Sequence, residues 1–143
     1  MSAYADSSFL VSLYTPDSNS AAALEEFRSA SPRFLITPFG EFEFTNALEL
    51  RVFRKELEPR EGDAYLRAFE TDIESGVLQR SLVPSTAYER ALLLSRRHTR
   101  HSGVRALDVL HVAIALELDA ETFLTFDRGQ RKLARSTGLK TRP

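Results

Sequence analysis

The sequence predicts an α/β fold built on a parallel sheet. Short apolar runs alternate with longer stretches of helical periodicity along the chain, which is the order a strand–helix–strand architecture requires. No repeat, low-complexity segment or linker interrupts that alternation. Capping chemistry also stands where helices must begin, as in Thr37-Pro38, with Thr as N-cap and Pro at the first helical position.

In order, residues 3–5 predict a first strand and residues 8–14 a helix. Residues 18–30 predict a helix with Leu24 and Phe27 inward, and residues 34–36 a second strand. The helix opened by Thr37 and Pro38 runs to about Lys55. Leu66, Phe69 and Ile73, at helical spacing, place a further helix over residues 63–75. Residues 77–83 read as a third strand, and Thr86 with Glu89 as a capping box opening a helix to about Arg100. The apolar run from Val109 to Leu116 lies in a helix over residues 105–118. Residues 122–126 predict the fourth strand, residues 128–136 a last helix stopped by Gly138, and residues 139–141 a short edge strand.

At 143 residues the chain fits one domain, 1–143, since domains most often hold about 100–150 residues. A chain of this size buries enough surface to fold without a disulfide or structural metal. It has no cysteine, which excludes thiolate catalysis and zinc fingers and suits a reducing cytoplasm. The opening MSAYADSSFL lacks the basic region of a secretory signal, and no apolar run approaches the ~20 residues of a membrane helix. The net charge of −1 conceals a division: residues 1–89 carry 8 basic and 15 acidic side chains, whereas residues 90–143 carry 11 and 5. A chain polarised in this way presents a basic face to a polyanion.

Ligands of open parallel sheets bind outside the carboxyl ends of the strands, and the first and fourth predicted strands lead into Asp6 and Asp127. Either could be only a helix N-cap. Asp108 opens an almost wholly apolar helix, where a carboxylate is costly unless paired or metal-bound. Glu43 sits in mid-helix and, alone, reads as a surface glutamate; Glu41 and Glu49 read the same way. Two unit charges ~5 Å apart at an effective dielectric of about 20 repel by roughly 3 kcal/mol. A cluster of such acids therefore persists when cations neutralise it, and all-oxygen ligation suits Mg²⁺ or Mn²⁺ over zinc. His111, three residues after Asp108, reads as a packed core histidine.

The segments Tyr4-Ala5-Asp6-Ser7-Ser8-Phe9-Leu10-Val11, Glu43-Phe44-Thr45-Asn46-Ala47-Leu48, Ala106-Leu107-Asp108-Val109-Leu110-His111-Val112-Ala113 and Leu124-Thr125-Phe126-Asp127 together resemble the PIN-domain nucleases, and within them the VapC-type toxins of toxin–antitoxin pairs. The resemblance spans nearly the whole chain, with the motifs in the family's order. It implies a three-layer fold with a five-stranded parallel sheet in order 3-2-1-4-5, helices on both faces, and a Mg²⁺- or Mn²⁺-dependent endoribonuclease. It places the metal-binding and catalytic acids at Asp6, Glu43, Asp108 and Asp127, with Glu43 either a ligand or an orienter of water. Ser7, Asn46 and Thr125 are the supporting residues. A homodimer and a cognate antitoxin are the implied partners beside RNA.

The stretch 90–107 holds no acid, and another acid-free stretch begins at Arg128. Arg96, Arg97, Arg100, Arg105 and Arg128 are the expected phosphate contacts, weighed against a solvated helix face. Two other readings stand beside the toxin: a catalytically silent PIN-like domain that binds RNA or a partner, and a PIN nuclease of RNA processing.

Overall fold

The computed structural model describes residues 1–29 and 33–143. Five strands form one parallel sheet in order β3-β2-β1-β4-β5: β1 Ser2–Ala5, β2 Arg33–Ile36, β3 Leu78–Arg80, β4 Thr122–Leu124 and β5 Lys140–Arg142. All four pairings are parallel, with Tyr4 level with Leu35 on one side and Phe123 on the other. This is the order the resemblance implies. Among the described residues no helix is long and apolar enough to cross a membrane.

Because side chains alternate across a strand, the sheet builds two separate cores. Tyr4, Leu35 and Phe123 point to one face. They pack there against α5 (Thr86–Leu94), α7 (Ala106–Glu117) and α8 (Arg128–Ser136). Ala3, Ala5, Phe34, Ile36 and Leu78 point to the other. That face is covered by α1 (Ser7–Tyr14), α2 (Ser20–Ser29), α3 (Pro38–Phe53) and α4 (Pro59–Glu74). The small Ala3 and Ala5 let Phe9, Phe44 and Phe69 fill the space between sheet and helices.

Four helices, α1, α3, α4 and α8, start on capping side chains. Thr37 caps α3, accepting from the Gly40 N–H at 3.2 Å with Pro38 behind it. Thr37→Ala is expected to cost about 1–2 kcal/mol in a denaturant melt; a loss below a few tenths would show that the cap is dispensable.

Five expectations need correction. In α2 the fully buried residue is Ala23, and Leu24 is 37% exposed, so the helix meets the core through Ala23 and, as expected, Phe27. Ala30, the predicted end of that helix, lies outside the described residues. α4 begins at Pro59, because Glu58 and Glu61 form a capping box there. β3 stops at Arg80 where residue 83 was expected, since its partner β2 ends at Ile36 and turns into α3, leaving no ladder to continue. Thr86 does not cap α5: the N-cap is Ser85, and the Thr86 hydroxyl donates to Glu117 at 3.1 Å instead. The helix after it passes through a π-helical turn, Ser95–Thr99, into the short α6 (Arg100–Ser102), and Gly103, at φ 66°, ends it.

Candidate active site

Asp6 leaves β1 at the carboxyl end of the sheet, tied to the neighbouring strand by its N–H to the Leu124 carbonyl. Its side chain has no exposed surface. Oδ1 accepts from the Phe9 N–H at 2.9 Å, capping α1, and from the Ser8 hydroxyl at 2.6 Å; Oδ2 accepts from the Thr125 hydroxyl. Burial raises its pKa above the usual carboxylate range, and the bonds from Ser8 and Thr125 oppose that rise.

Asp127 also caps a helix, its Oδ1 accepting from the Gln130 N–H at 2.7 Å. Unlike Asp6, it does not follow its strand directly. β4 ends at Leu124, and Thr125 and Phe126 intervene, because Thr125 takes its hydroxyl inward to Asp6 and accepts the Asp127 N–H at 2.9 Å. Asp108 lies in the first turn of α7, ahead of a run buried from Val109 to Ala115. Its pKa is raised, first by burial and then by the charge of Asp127; Glu43 adds to the rise, while His111 and Arg105 oppose it.

Glu43 is half-buried on α3 and meets the Nε2 of His111 through Oε1. His111 is 1% exposed, and its Nδ1 lies 2.7 Å from the Tyr4 hydroxyl. Glu43 is thus set against the core, whereas the mid-helix reading made it a surface residue. Glu41, also expected on the surface, is half-buried like Glu43 but is paired with Arg80 at 2.6 Å instead.

An open cleft of about 450 Å³ runs between α1, α3, α7 and α8, with Asp108, Asp127 and Gln130 on one side and Ser7, Ser8 and Ser12 on the other. Asp6 lies beneath it. Of the supporting residues, Thr125 binds Asp6; Ser7 lines the cleft, but Ser8 holds the carboxylate. Asn46 is exposed, and Ala47 is the α3 residue in the cleft wall. Arg96, Arg97, Arg100, Arg105 and Arg128 are all exposed, and none forms an ion pair among the described residues. Arg105, the N-cap of α7, is the one whose charge reaches Asp108. Arg90, in the same basic stretch, is taken up by Glu117 at 2.8 Å.

Among the described residues no three acidic or histidine side chains form a ready-made cage for a cation; the acids spend oxygens on nearby donors, both for Asp6 and one each for Asp108 and Asp127. The donor set nevertheless fits a hard divalent ion in kind, being wholly carboxylate. Asp108 and Asp127 stand close enough to raise the Asp108 pKa, which is the potential a cation relieves. Two residues of this site, Ser8 and Gln130, escape sequence reasoning. Gln130 carries a faint signal, standing at the third helical position after an Asp cap; Ser8 stands inside the first resembling motif, where only Asp6 and Ser7 were given a role.

The profile of the PIN domain family matches residues 3–136. Among solved structures, the chain is similar to the sarcin–ricin loop cleaving toxin VapC20 of Mycobacterium tuberculosis, at 18% identity and a TM-score of 0.72 over 99% of this chain and 100% of that one. It is also similar to FitAcB of Neisseria gonorrhoeae, at 14% identity and a TM-score of 0.71 over 99% and 96%. A structure of FitAB bound to an IR36 DNA fragment matches at 14% identity and a TM-score of 0.70 over 97% and 92%. At these identities the likeness establishes a shared fold. No curated protein matches the sequence significantly.

Proposed function

Since the chain belongs to the PIN domain family, we propose that it is a Mg²⁺- or Mn²⁺-dependent endoribonuclease and the toxin of a toxin–antitoxin pair. One observation carries the reading: Asp108 on α7 and Asp127 at the N-cap of α8 line one cleft and are bonded to the same residue, Gln130, at 3.1 and 2.7 Å, while Glu43 on α3 reaches His111, one turn along α7 from Asp108. Like charges are not gathered this way for stability. The shared fold with a toxin that cleaves the sarcin–ricin loop supports RNA as the substrate. The antitoxin and a homodimer come from the family resemblance, and a cytoplasmic location from the cysteine-free composition.

Asp108 and Asp127, joined by Glu43 and by Asp6 beneath them, would hold the cation. When bound, it supplies Lewis-acid polarisation of the phosphate and activation of water. The chain's own residues do the rest. Asp6, fixed by Ser8, Phe9 and Thr125, sets the floor of the cleft. His111 holds one oxygen of Glu43 and so limits the directions its carboxylate can face. Arg105 and Arg128, at the starts of α7 and α8, flank the acids and bind backbone phosphates, while Arg96, Arg97 and Arg100 extend the basic surface. RNA binding should therefore weaken steeply with salt.

Metal that binds only the folded chain stabilises it by about 2.7 kcal/mol at a hundredfold excess over Kd. Millimolar Mn²⁺ is accordingly expected to raise the melting temperature, and to do so in step with cleavage of a structured RNA. A melting curve indifferent to Mn²⁺ would remove the metal from the scheme. The absence of a ready-made cage among the described residues favours a second reading, a silent domain that binds RNA without cutting it. Retained RNA binding with no cleavage at any Mn²⁺ concentration is its signature.

A further inference from the structure

We infer that Gln130 is a positioning residue that ties Asp108 and Asp127 together from a single point on α8; this rests on the nuclease reading above. Its backbone N–H donates to Asp127 Oδ1 at 2.7 Å, and its side-chain Nε2 donates to Asp108 Oδ1 at 3.1 Å. The two acids come from different helices, α8 and α7, and Gln130 is the one described residue that hydrogen-bonds both.

The local chemistry explains why its amide is available. A Gln three residues after an Asp cap ordinarily turns back to the N–H of the cap residue. Here that N–H already donates to the Thr125 hydroxyl at 2.9 Å, so the Gln130 side chain is free to cross to α7. It does so while 4% exposed. Its Oε1 is buried with no hydrogen-bond partner among the described residues, an arrangement that costs stability. An apolar side chain of the same length would pack here without that cost, so stability is not what the amide contributes.

What it contributes is a neutral donor. It occupies Oδ1 of each acid, and neither Oδ2 has a hydrogen bond within the described residues. Both carboxylates are thereby turned by one residue, with an oxygen each left over for a cation. A lysine or arginine in its place would hold the same oxygens but cancel the charge that attracts the metal. Outer hydrogen bonds of this kind are worth about 10–100-fold in metal affinity.

The test is Gln130→Met, which conserves length and leaves the backbone bond to Asp127 in place, with Gln130→Leu as a second substitution should the first impair folding. Titration with Mn²⁺ alone is expected to give a Kd weakened about tenfold, while the metal-free variant melts no lower than wild type. Cleavage should fall by the same factor at limiting Mn²⁺ and recover at saturating Mn²⁺, a recovery that a folding defect would not show. A Kd within twofold of wild type in the folded variant, with wild type binding Mn²⁺ and Asp108→Asn not binding it, overturns the clamp alone. If wild type itself takes up no Mn²⁺, the nuclease reading falls and the clamp falls with it.

Discussion

Replacing Asp6 or Asp108 by Asn is expected to reduce metal-dependent RNA cleavage by more than about 100-fold, beyond what outer partners of a metal ligand are worth, and to make the metal-free protein more stable. The two effects have one cause. Burial raises the pKa of both carboxyls, and Asp127 adds to the rise at Asp108, so each ionised side chain opposes folding in the absence of a cation. A carboxyl whose pKa is raised on folding favours the folded state fully below its unfolded value of 3.8, and that advantage is lost as pH rises through the folded value. Asn, always neutral, never loses it. The stability gap between variant and metal-free wild type should therefore open as pH climbs from 3.8 and stay open at neutral pH. Geometry allows the exchange at Asp6: an amide oxygen can keep the bonds from Phe9 and Ser8, and an amide NH₂ can donate to Thr125, which turns its own proton to Ser8, 3.3 Å away. Mn²⁺ should reverse the ranking by stabilising wild type alone. Thermal melts across pH, with cleavage of the same samples, test it; Asn variants that cleave within tenfold of wild type, or melt below it when metal-free, would refute the assignment.

Thr125→Val, an isosteric change, is expected to destabilise the protein by about 3 kcal/mol, or about 10 °C in melting temperature. The Thr125 hydroxyl donates to Asp6 Oδ2 and accepts the Asp127 N–H at 2.9 Å, and it is fully buried. Valine leaves a buried carboxylate oxygen and a backbone donor unpaired at once. Thr125→Ser retains both bonds and should restore most of the loss. Equal stability of the valine and serine variants in denaturant unfolding would show that the bond to Asp6 carries no weight.

Much of the fold was legible because its determinants are local. Thr37-Pro38, the Asp127 cap and Gly138 mark helix boundaries by chemistry within three or four residues, and the fully buried run after Asp108 announces itself by composition. The errors arose where a distant residue decides. Glu117 takes the hydroxyl of Thr86, β2 sets the length of β3, and α2 meets the core through an alanine. None of these has a signal in its own segment.

The four carboxylates divide the same way. The chain alone determined that Asp6 follows a strand and Asp127 caps a helix, and that Asp108 opens a buried helix, because strand period and helix caps act over short distances. Only the tertiary structure decided what each acid meets: Asp6 beneath the cleft with both oxygens bonded, Glu43 against His111, and Asp108 joined to Asp127 through Gln130. Those partners lie from 2 to 119 residues away. Most of them come together only when α3, α7 and α8 are packed against the same sheet, which no local pattern records.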